Sequence, residues 1–114
     1  MRRLAVAIDA RIEVAAALAV SYEKFGLAAA NRYRALIRQA YCDLAENPNR
    51  PGVSAPPDIP ADLRLYPIRH SGARVPAADR VGRPRHVIAF RFDDAKVEIV
   101  HLLHDGMDLP ARLG

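Results

Sequence analysis

Histidine and arginine are the residue types in this sequence that are best suited to chemistry or to ligand binding. The histidines are His70, His86, His101 and His104, and an imidazole can exchange a proton near neutral pH or bind a metal ion. His101 and His104 lie three residues apart in a predicted strand, so their side chains should point to opposite faces and cannot chelate one metal ion. The single cysteine, Cys42, excludes a thiolate-rich metal site. We therefore expect neither a metal nor a cofactor.

The arginines are concentrated in one part of the chain. Between residues 64 and 91 a single acid, Asp79, faces seven of them: Arg64, Arg69, Arg74, Arg80, Arg83, Arg85 and Arg91. This segment therefore carries a net charge of +6, and because the whole chain carries +4, the remainder carries −2. The planar guanidinium suits bidentate contacts to phosphates or carboxylates. The pattern favours a polyanion or an acidic protein as partner, and the alternative is a solvated basic loop.

Length and composition limit the class of protein. A chain of 114 residues predicts one domain spanning residues 1–114, with a single hydrophobic core. The first twenty residues resemble a secretory signal, but Asp9, Arg11 and Glu13 interrupt the apolar segment too early. No apolar run approaches the roughly 20 residues of a membrane span. We therefore expect a cytoplasmic protein with no membrane partner.

The most strongly patterned segment is a β-hairpin that should position two of the histidines. Two runs rich in β-branched and aromatic residues, 87–92 and 96–103, flank Asp93-Asp94-Ala95, which is typical of a tight turn. The expected inward faces are Ile88, Phe90 and Phe92 on the first strand and Val97, Ile99 and Leu103 on the second, where His101 interrupts the pattern. Residues 104–109 then predict a turn that leaves His104 at the strand end.

A short strand and two helices precede this hairpin. Alternation at residues 4–8 predicts the strand, and Asp9 is placed as the cap of a helix over 10–25 that ends at Gly26. A second helix over 27–46 ends before Pro48, and the short connection predicts an antiparallel helical hairpin. The expected inward faces are Ile12, Ala15, Ala16, Ala19 and Tyr22 on the first helix and Ala29, Tyr33, Leu36, Ile37, Ala40 and Leu44 on the second. Tyr22, Tyr33 and Tyr41 should pack between the helices, and Cys42 should be buried.

Proline and glycine divide the middle of the chain. The five prolines of residues 47–60 predict an extended loop, and residues 63–68 predict a strand at a sheet edge, with Pro67 near its end. Residues 69–85 have no periodicity and predict a long basic loop. The order predicts an α+β fold with an N-terminal strand, an antiparallel helical hairpin and then a three-stranded antiparallel sheet, all strands antiparallel.

Several segments together resemble a known family. They are YEKFG at residues 22–26, Tyr33, LAENP at 44–48, LRLYPI at 63–68, VEIVHLLH at 97–104, MDL at 107–109 and RL at 112–113. Over nearly the whole chain this resembles the toxins of bacterial type II toxin–antitoxin systems, in the superfamily of the ParE gyrase inhibitors and the RelE ribosome-dependent mRNA nucleases. The resemblance is closer to ParE. The segment at 69–85 is longer than the usual turn joining these strands.

The resemblance implies a toxin neutralised in a hetero-oligomer by a ParD-like antitoxin, whose disordered segment folds onto it. It also implies inhibition of DNA gyrase by binding rather than by turnover, so that growth stops and no catalytic residue is assigned. Candidate gyrase contacts are Arg64, Arg85, Arg91, His104, Met107 and Asp108. Candidate antitoxin contacts are Tyr22, Tyr33, Leu36 and Phe90.

Two alternatives remain open. A RelE-like ribonuclease needs an acid, a base and cations around the phosphate, and the candidates are His70 or His104 for proton transfer and Arg64, Arg83, Arg85 or Arg91 for the phosphate. Against this, the last two strands and the tail contain no tyrosine, which several nucleases of the superfamily use for catalysis there. The other alternative is direct DNA binding through the basic loop, whose affinity would fall steeply with salt.

Overall fold

The computed structural model describes all 114 residues and has the predicted α+β element order. The elements are β1 (Arg3–Val6), α1 (Ile8–Phe25), α2 (Leu27–Glu46), β2 (Arg64–Pro67), β3 (His86–Phe92), β4 (Lys96–His104) and α3 (Leu109–Leu113), with 3₁₀ helices at Ile68–Arg74 and Ala77–Asp79. The short α3 and the two 3₁₀ helices were not predicted. None of the helices combines the length and apolar character needed to cross a membrane.

The sheet is mixed rather than fully antiparallel, which corrects the prediction. Its strand order is β1-β4-β3-β2, with β1 parallel to β4 and the other pairs antiparallel. The reason is the long connection from β1 to β4, because a connection that contains helices allows a parallel neighbour whereas a tight hairpin does not. β2 lies at the sheet edge and Pro67 ends it, as predicted.

The β3–β4 hairpin forms as predicted, but with a bulge. The Asp93 carboxylate accepts hydrogen bonds from the backbone N–H groups of Ala95 at 2.8 Å and Lys96 at 2.9 Å, which closes the turn and lowers the pKa of that carboxyl. Phe90 pairs with Ile99 and Ala89 with His101, so Val100 is an extra residue in β4. The bulge reverses the alternation beyond it. Leu102, rather than the predicted Leu103, therefore joins Val97 and Ile99 in the main core.

The two helices form the predicted antiparallel hairpin, and Gly26 joins them with a φ of 89°, which favours glycine. Two details of α1 differ. The helix begins at Ile8 and Asp9 lies in its first turn, so Asp9 is not the cap. The predicted inward face was also wrong: Ile12 is 60% and Tyr22 58% exposed, and the core-facing residues are Ala10, Val14, Ala17 and Leu18. Because α1 is rich in alanine and apolar on most sides, its periodicity is weak.

The predicted stripe of α2 is confirmed, since Leu36, Ile37, Ala40 and Leu44 are buried in the main core. Cys42 is exposed, which corrects the prediction of a buried thiol. It lies only two residues after Ala40 and therefore points away from the stripe. The buried face of α2 also contains a carboxylate. Asp43, which lies between Ala40 and Leu44 in the sequence, is 1% exposed.

Asp43 organises the chain after β2. Its carboxylate accepts a hydrogen bond from Ser71 Oγ at 2.6 Å and forms ion pairs with Arg50 Nη1 at 2.8 Å and Arg74 Nε at 3.4 Å. Ser71 Oγ also lies 2.7 Å from Tyr66 Oη. These bonds hold the first 3₁₀ helix against α2 where a loop without structure was predicted. The rest of the basic segment runs from there to β3.

Candidate functional site

A cavity of about 790 Å³ lies between the turn of the helical hairpin and the chain that enters β3. We call it the basic pocket. The residues in its lining that could bind an anion or exchange a proton are Lys24, Arg32, Tyr33, Arg80, Arg83, Arg85, His86 and His104. No carboxylate is among its lining residues. The pocket therefore combines five cations with a tyrosine and two histidines.

Tyr33 and His86 form the floor of this pocket through a directed chain of hydrogen bonds. The backbone N–H of Arg85 donates to Tyr33 Oη at 3.3 Å, and Tyr33 Oη lies 2.6 Å from His86 Nδ1. Burial raises the pKa of Tyr33 and lowers the pKa of His86, so the phenol keeps its proton and the imidazole is favoured neutral. The hydroxyl consequently donates to Nδ1, which leaves the His86 proton on Nε2.

His104 lies opposite His86 across the strand pair, with the two rings edge to face and their centroids 5.6 Å apart. The backbone N–H of Gly106 donates to His104 Nδ1 at 3.0 Å, so Nδ1 acts as an acceptor and Nε2 is the N–H donor of the ring. Arg85 Nε is paired with Asp105 Oδ1 at 3.0 Å beside it. The two imidazoles thus both present an Nε2–H donor, an arrangement suited to binding an anion.

The other cations of the basic pocket have no carboxylate partner. No ion pair involves Lys24, Arg32, Arg80 or Arg83, whereas the Arg50, Arg74, Arg85 and Arg91 guanidinium groups are each paired. Arg80 is nevertheless oriented, since its guanidinium donates to the backbone carbonyls of Val75 at 3.2 Å and Ala73 at 3.3 Å. Four of the five cations in the pocket, all except Arg85, therefore have no ion pair within the protein.

A second cavity, of about 850 Å³, is an open groove between α1 and α2, which we call the interhelical groove. Most of its lining is apolar, and Arg11, Arg34 and Arg38 lie along it. Tyr41 also lines it, and its hydroxyl is buried without a hydrogen-bond partner, while burial raises its pKa to about 12. Tyr22 is the other aromatic residue of the groove. Burying the Tyr41 hydroxyl without a partner lowers the stability of the fold.

The six residues predicted to contact the target lie in two places. Arg85, His104, Met107 and Asp108 lie at or directly after the end of the β3–β4 hairpin where His86 pairs with His104. Arg64 and Arg91 lie beside the β3–β4 turn at the opposite end. There Arg91 is paired with Glu98 at 2.6 Å and Asp62 at 3.2 Å, and Arg64 donates to backbone carbonyls.

The four residues predicted to contact the antitoxin also separate. Tyr22 is exposed and lines the interhelical groove, whereas Tyr33 lines the basic pocket. Leu36 and Phe90 are 2% and 0% exposed, so they are core residues whose side chains offer no surface to a partner. Of the three phenols expected between the helices, Tyr41 is the one that is deeply placed there without a partner.

The remaining histidines lie outside the basic pocket. His70 lies on the first 3₁₀ helix beside Tyr66, with ring centroids 5.8 Å apart. His101 Nδ1 lies 3.1 Å from Glu13 Oε1 and joins β4 to α1. Among the residues considered for phosphate chemistry, the structure thus brings together His104, Arg83 and Arg85. His86 and Tyr33 complete the group, and sequence reasoning had given them no part in that chemistry.

Comparison with protein families supports the resemblance in the sequence. Residues 13–109 match the family model described as the ParE toxin of the type II toxin–antitoxin system, parDE. The matched range begins inside α1 and ends at the first residue of α3, so it includes most of α1, all of α2 and the last three strands of the sheet. None of the curated proteins compared with the chain matches it. The chain therefore belongs to the family of ParE toxins of type II toxin–antitoxin systems, proteins that pair with a cognate antitoxin.

Proposed function

We propose that this toxin inhibits DNA gyrase by binding it, and that a ParD-like antitoxin prevents this in a hetero-oligomer by occupying the interhelical groove. The observation that carries the antitoxin part is the groove itself, which is apolar along most of its length and flanked by arginines. An amphipathic helix placed in an apolar groove is a common way in which proteins bind folding segments. Acidic residues on such a segment would complement Arg34 and Arg38.

Exposed apolar side chains extend this surface beyond the groove. Those on α1 and at the helical turn that do not line the basic pocket are Ile8, Ile12, Tyr22 and Leu27, which are between 58% and 70% exposed. Single exposed apolar residues are common, but a group of this size on one helical hairpin is typical of an interaction surface.

The gyrase part rests on membership of the ParE family and on the residues after β4. Met107 is 40% exposed, and Asp108 Oδ1 accepts a hydrogen bond from the Ala111 N–H at 3.2 Å, which caps α3. Arg85 and His104 lie beside this turn, and both contact the Asp105 carboxylate. A hydrogen-bonded turn with an exposed apolar side chain and flanking charges suits binding to a protein surface. Because gyrase acts on the chromosome, the toxin would act in the cytoplasm and stop growth.

The deciding experiment is metabolic labelling of DNA and protein synthesis in bacteria during the first minutes after the toxin is induced without its antitoxin. Inhibition of gyrase should stop DNA synthesis while translation continues. Collapse of protein synthesis first would contradict the proposal and favour the ribonuclease alternative. Supercoiling by purified gyrase provides the direct assay and should be inhibited by the purified chain.

Two matched variants locate the surface. Met107→Glu should relieve inhibition of supercoiling, because a buried apolar contact would be replaced by a charge. Leu4→Glu, at a side chain that is 38% exposed on β1, serves as the control and should inhibit as the natural chain does. Equal inhibition by both variants, with unchanged thermal unfolding, would place the gyrase contacts elsewhere.

A further inference from the structure

We propose that the basic pocket is a binding site for the phosphate group of a nucleotide, either free or within a nucleic-acid strand. The inference does not depend on gyrase being the target, because binding can be measured with the toxin alone. Three features of the pocket carry it: unpaired positive charge, oriented hydrogen-bond donors and an adjoining apolar wall.

The positive charge is the first feature. Lys24, Arg32, Arg80 and Arg83 line the pocket without a carboxylate partner anywhere in the chain, and no acid lines the pocket. Cations gathered in a concave surface attract anions more strongly than the same cations on a flat surface. The bonds from Arg80 to two backbone carbonyls hold one guanidinium in place before any ligand binds.

The donors are the second feature. Tyr33 donates to Nδ1 of His86 and the Gly106 N–H donates to Nδ1 of His104, so Nε2 is the N–H donor of each ring. No hydrogen bond joins either Nε2 atom to the protein. Two N–H donors of this kind beside several guanidinium groups match the acceptor oxygens of a phosphate.

The apolar wall is the third feature, and it favours a nucleotide over a bare anion. It consists of Ala17, Val20, Phe25, Ala29 and Val81. Phe25 is 75% exposed, so its ring is available for stacking on a base. The volume of about 790 Å³ lies in the range of sites for small ligands. An acidic protein segment would use the same cations but would not need an exposed aromatic ring.

The four histidines allow a test within one molecule. The full chain is titrated with adenosine 5′-monophosphate while the ring signals of all histidines are followed by NMR. His86 and His104 should shift with a saturable curve, and His70 and His101, which do not line the pocket, should not. Inorganic phosphate should shift the same two signals with roughly tenfold weaker affinity, because it lacks the base. Equal shifts of all four histidines would overturn the proposal.

Variants separate a site from general attraction between charges. Arg83→Gln should weaken binding of adenosine 5′-monophosphate by about tenfold or more, whereas Arg112→Gln, an exposed arginine on α3, should change it less than about twofold. Phe25→Ala should weaken binding of the nucleotide but not of inorganic phosphate. Equal losses in the two arginine variants would overturn the proposal.

Further ligands identify the source of the phosphate. Single-stranded DNA and RNA octanucleotides that bind at His86 and His104 more tightly than the mononucleotide would indicate a nucleic-acid strand, and equal affinity would indicate a free nucleotide. Both outcomes support the site. A glutamate-rich octapeptide that binds there more tightly than any of these would overturn it in favour of an acidic protein partner. Each measurement omits gyrase, so failure here leaves the gyrase proposal untouched.

Discussion

Tyr33 Oη lies 2.6 Å from His86 Nδ1 and so joins α2 to the first residue of β3, across 53 positions of the sequence. The same hydroxyl accepts the backbone N–H of Arg85, which precedes the strand. A single phenol therefore fixes both the entry of the chain into β3 and the tautomer of the imidazole. Because His86 pairs with His104 across the hairpin, the helical layer controls the geometry of the basic pocket.

Replacing Tyr33 by phenylalanine tests this relationship. The change removes two half-buried hydrogen bonds, each with a net contribution of roughly 0.5–1.5 kcal/mol. We expect Tyr33→Phe to lower the free energy of unfolding by about 1–2 kcal/mol in urea denaturation. It should also allow the His86 proton to move to Nδ1, which nitrogen NMR of the ring would detect. Tyr22→Phe is the control, since Tyr22 is exposed and bonds nothing, and an equal loss in both variants would contradict the assignment.

The stability of the protein should depend on the protonation of His86. Burial, and secondarily the neighbouring His104, lower the pKa of His86 below 6.5, and Asp105 opposes this shift. The unfolded chain therefore binds a proton at a higher pH than the folded chain does. As the pH falls from 6.5 toward the lower folded pKa, the unfolded state gains more protons and stability decreases. Above this pH window the imidazole is neutral in both the folded and the unfolded state, so His86 does not reduce the free energy of unfolding there.

Thermal unfolding between about pH 5 and pH 7.5 measures this effect. The natural chain should lose more stability on acidification than His86→Gln does, because glutamine does not titrate. The pKa of His70 is lowered as well, but this residue is present in both proteins and its effect cancels in the difference. Parallel curves for the two proteins would show that His86 does not titrate differently in the folded state.

Replacing the buried Asp43 should destabilise the protein more than replacing an acidic residue in an exposed ion pair. Its partners Ser71, Arg50 and Arg74 hold the first 3₁₀ helix against α2. We expect Asp43→Ala to lower the free energy of unfolding by roughly 2–3 kcal/mol, since two buried bonds are lost while Arg74 can still reach water. Asp62→Ala breaks an exposed pair with Arg91 and should cost about 1 kcal/mol or less. Urea denaturation of both variants compares them directly.

Local sequence patterns predicted much of the fold, but they did not predict the basic pocket. The stripe of α2, the turn at Asp93 and the edge position of Pro67 follow from periodicity and turn chemistry, which act over a few residues. The pairing of His86 with His104 depends instead on the bulge at Val100. Without that extra residue the register from Phe92 and Val97 would place Leu103 opposite His86. No sequence signal in the chain marked the bulge.

Side-chain burial was predictable only where the pattern was strong. The alternation of polar and apolar residues in α2 identified Leu36 and Ile37 correctly, and by the same reasoning Leu36 is unavailable to a partner. In α1 the many alanines left several faces equally apolar, and the predicted inward face was wrong. The parallel pairing of β1 with β4 could not be predicted from local sequence patterns either, because it depends on contacts between residues more than 90 positions apart.

The arginines of the interhelical groove should determine how fast the antitoxin binds. Arg34 and Arg38 lie exposed on α2 along the groove, and an acidic segment would be attracted before it makes contact. Electrostatic attraction of this kind acts mainly on the association rate and weakens with salt. We expect the double variant Arg34→Glu/Arg38→Glu to slow association with the cognate antitoxin by about tenfold or more at low ionic strength, as measured by stopped-flow fluorescence.

A charge-matched control makes this result specific to the groove. Arg69→Glu/Arg112→Glu changes the net charge of the toxin by the same amount at two exposed arginines that do not line the groove. General attraction between the proteins would slow both variants equally, whereas binding in the groove should slow the first far more. Raising the salt to about 0.5 M should remove most of the difference in association rate, because charges a few ångströms apart in water are then largely screened. Equal rates for the two variants at low salt would place the antitoxin on another surface of the toxin.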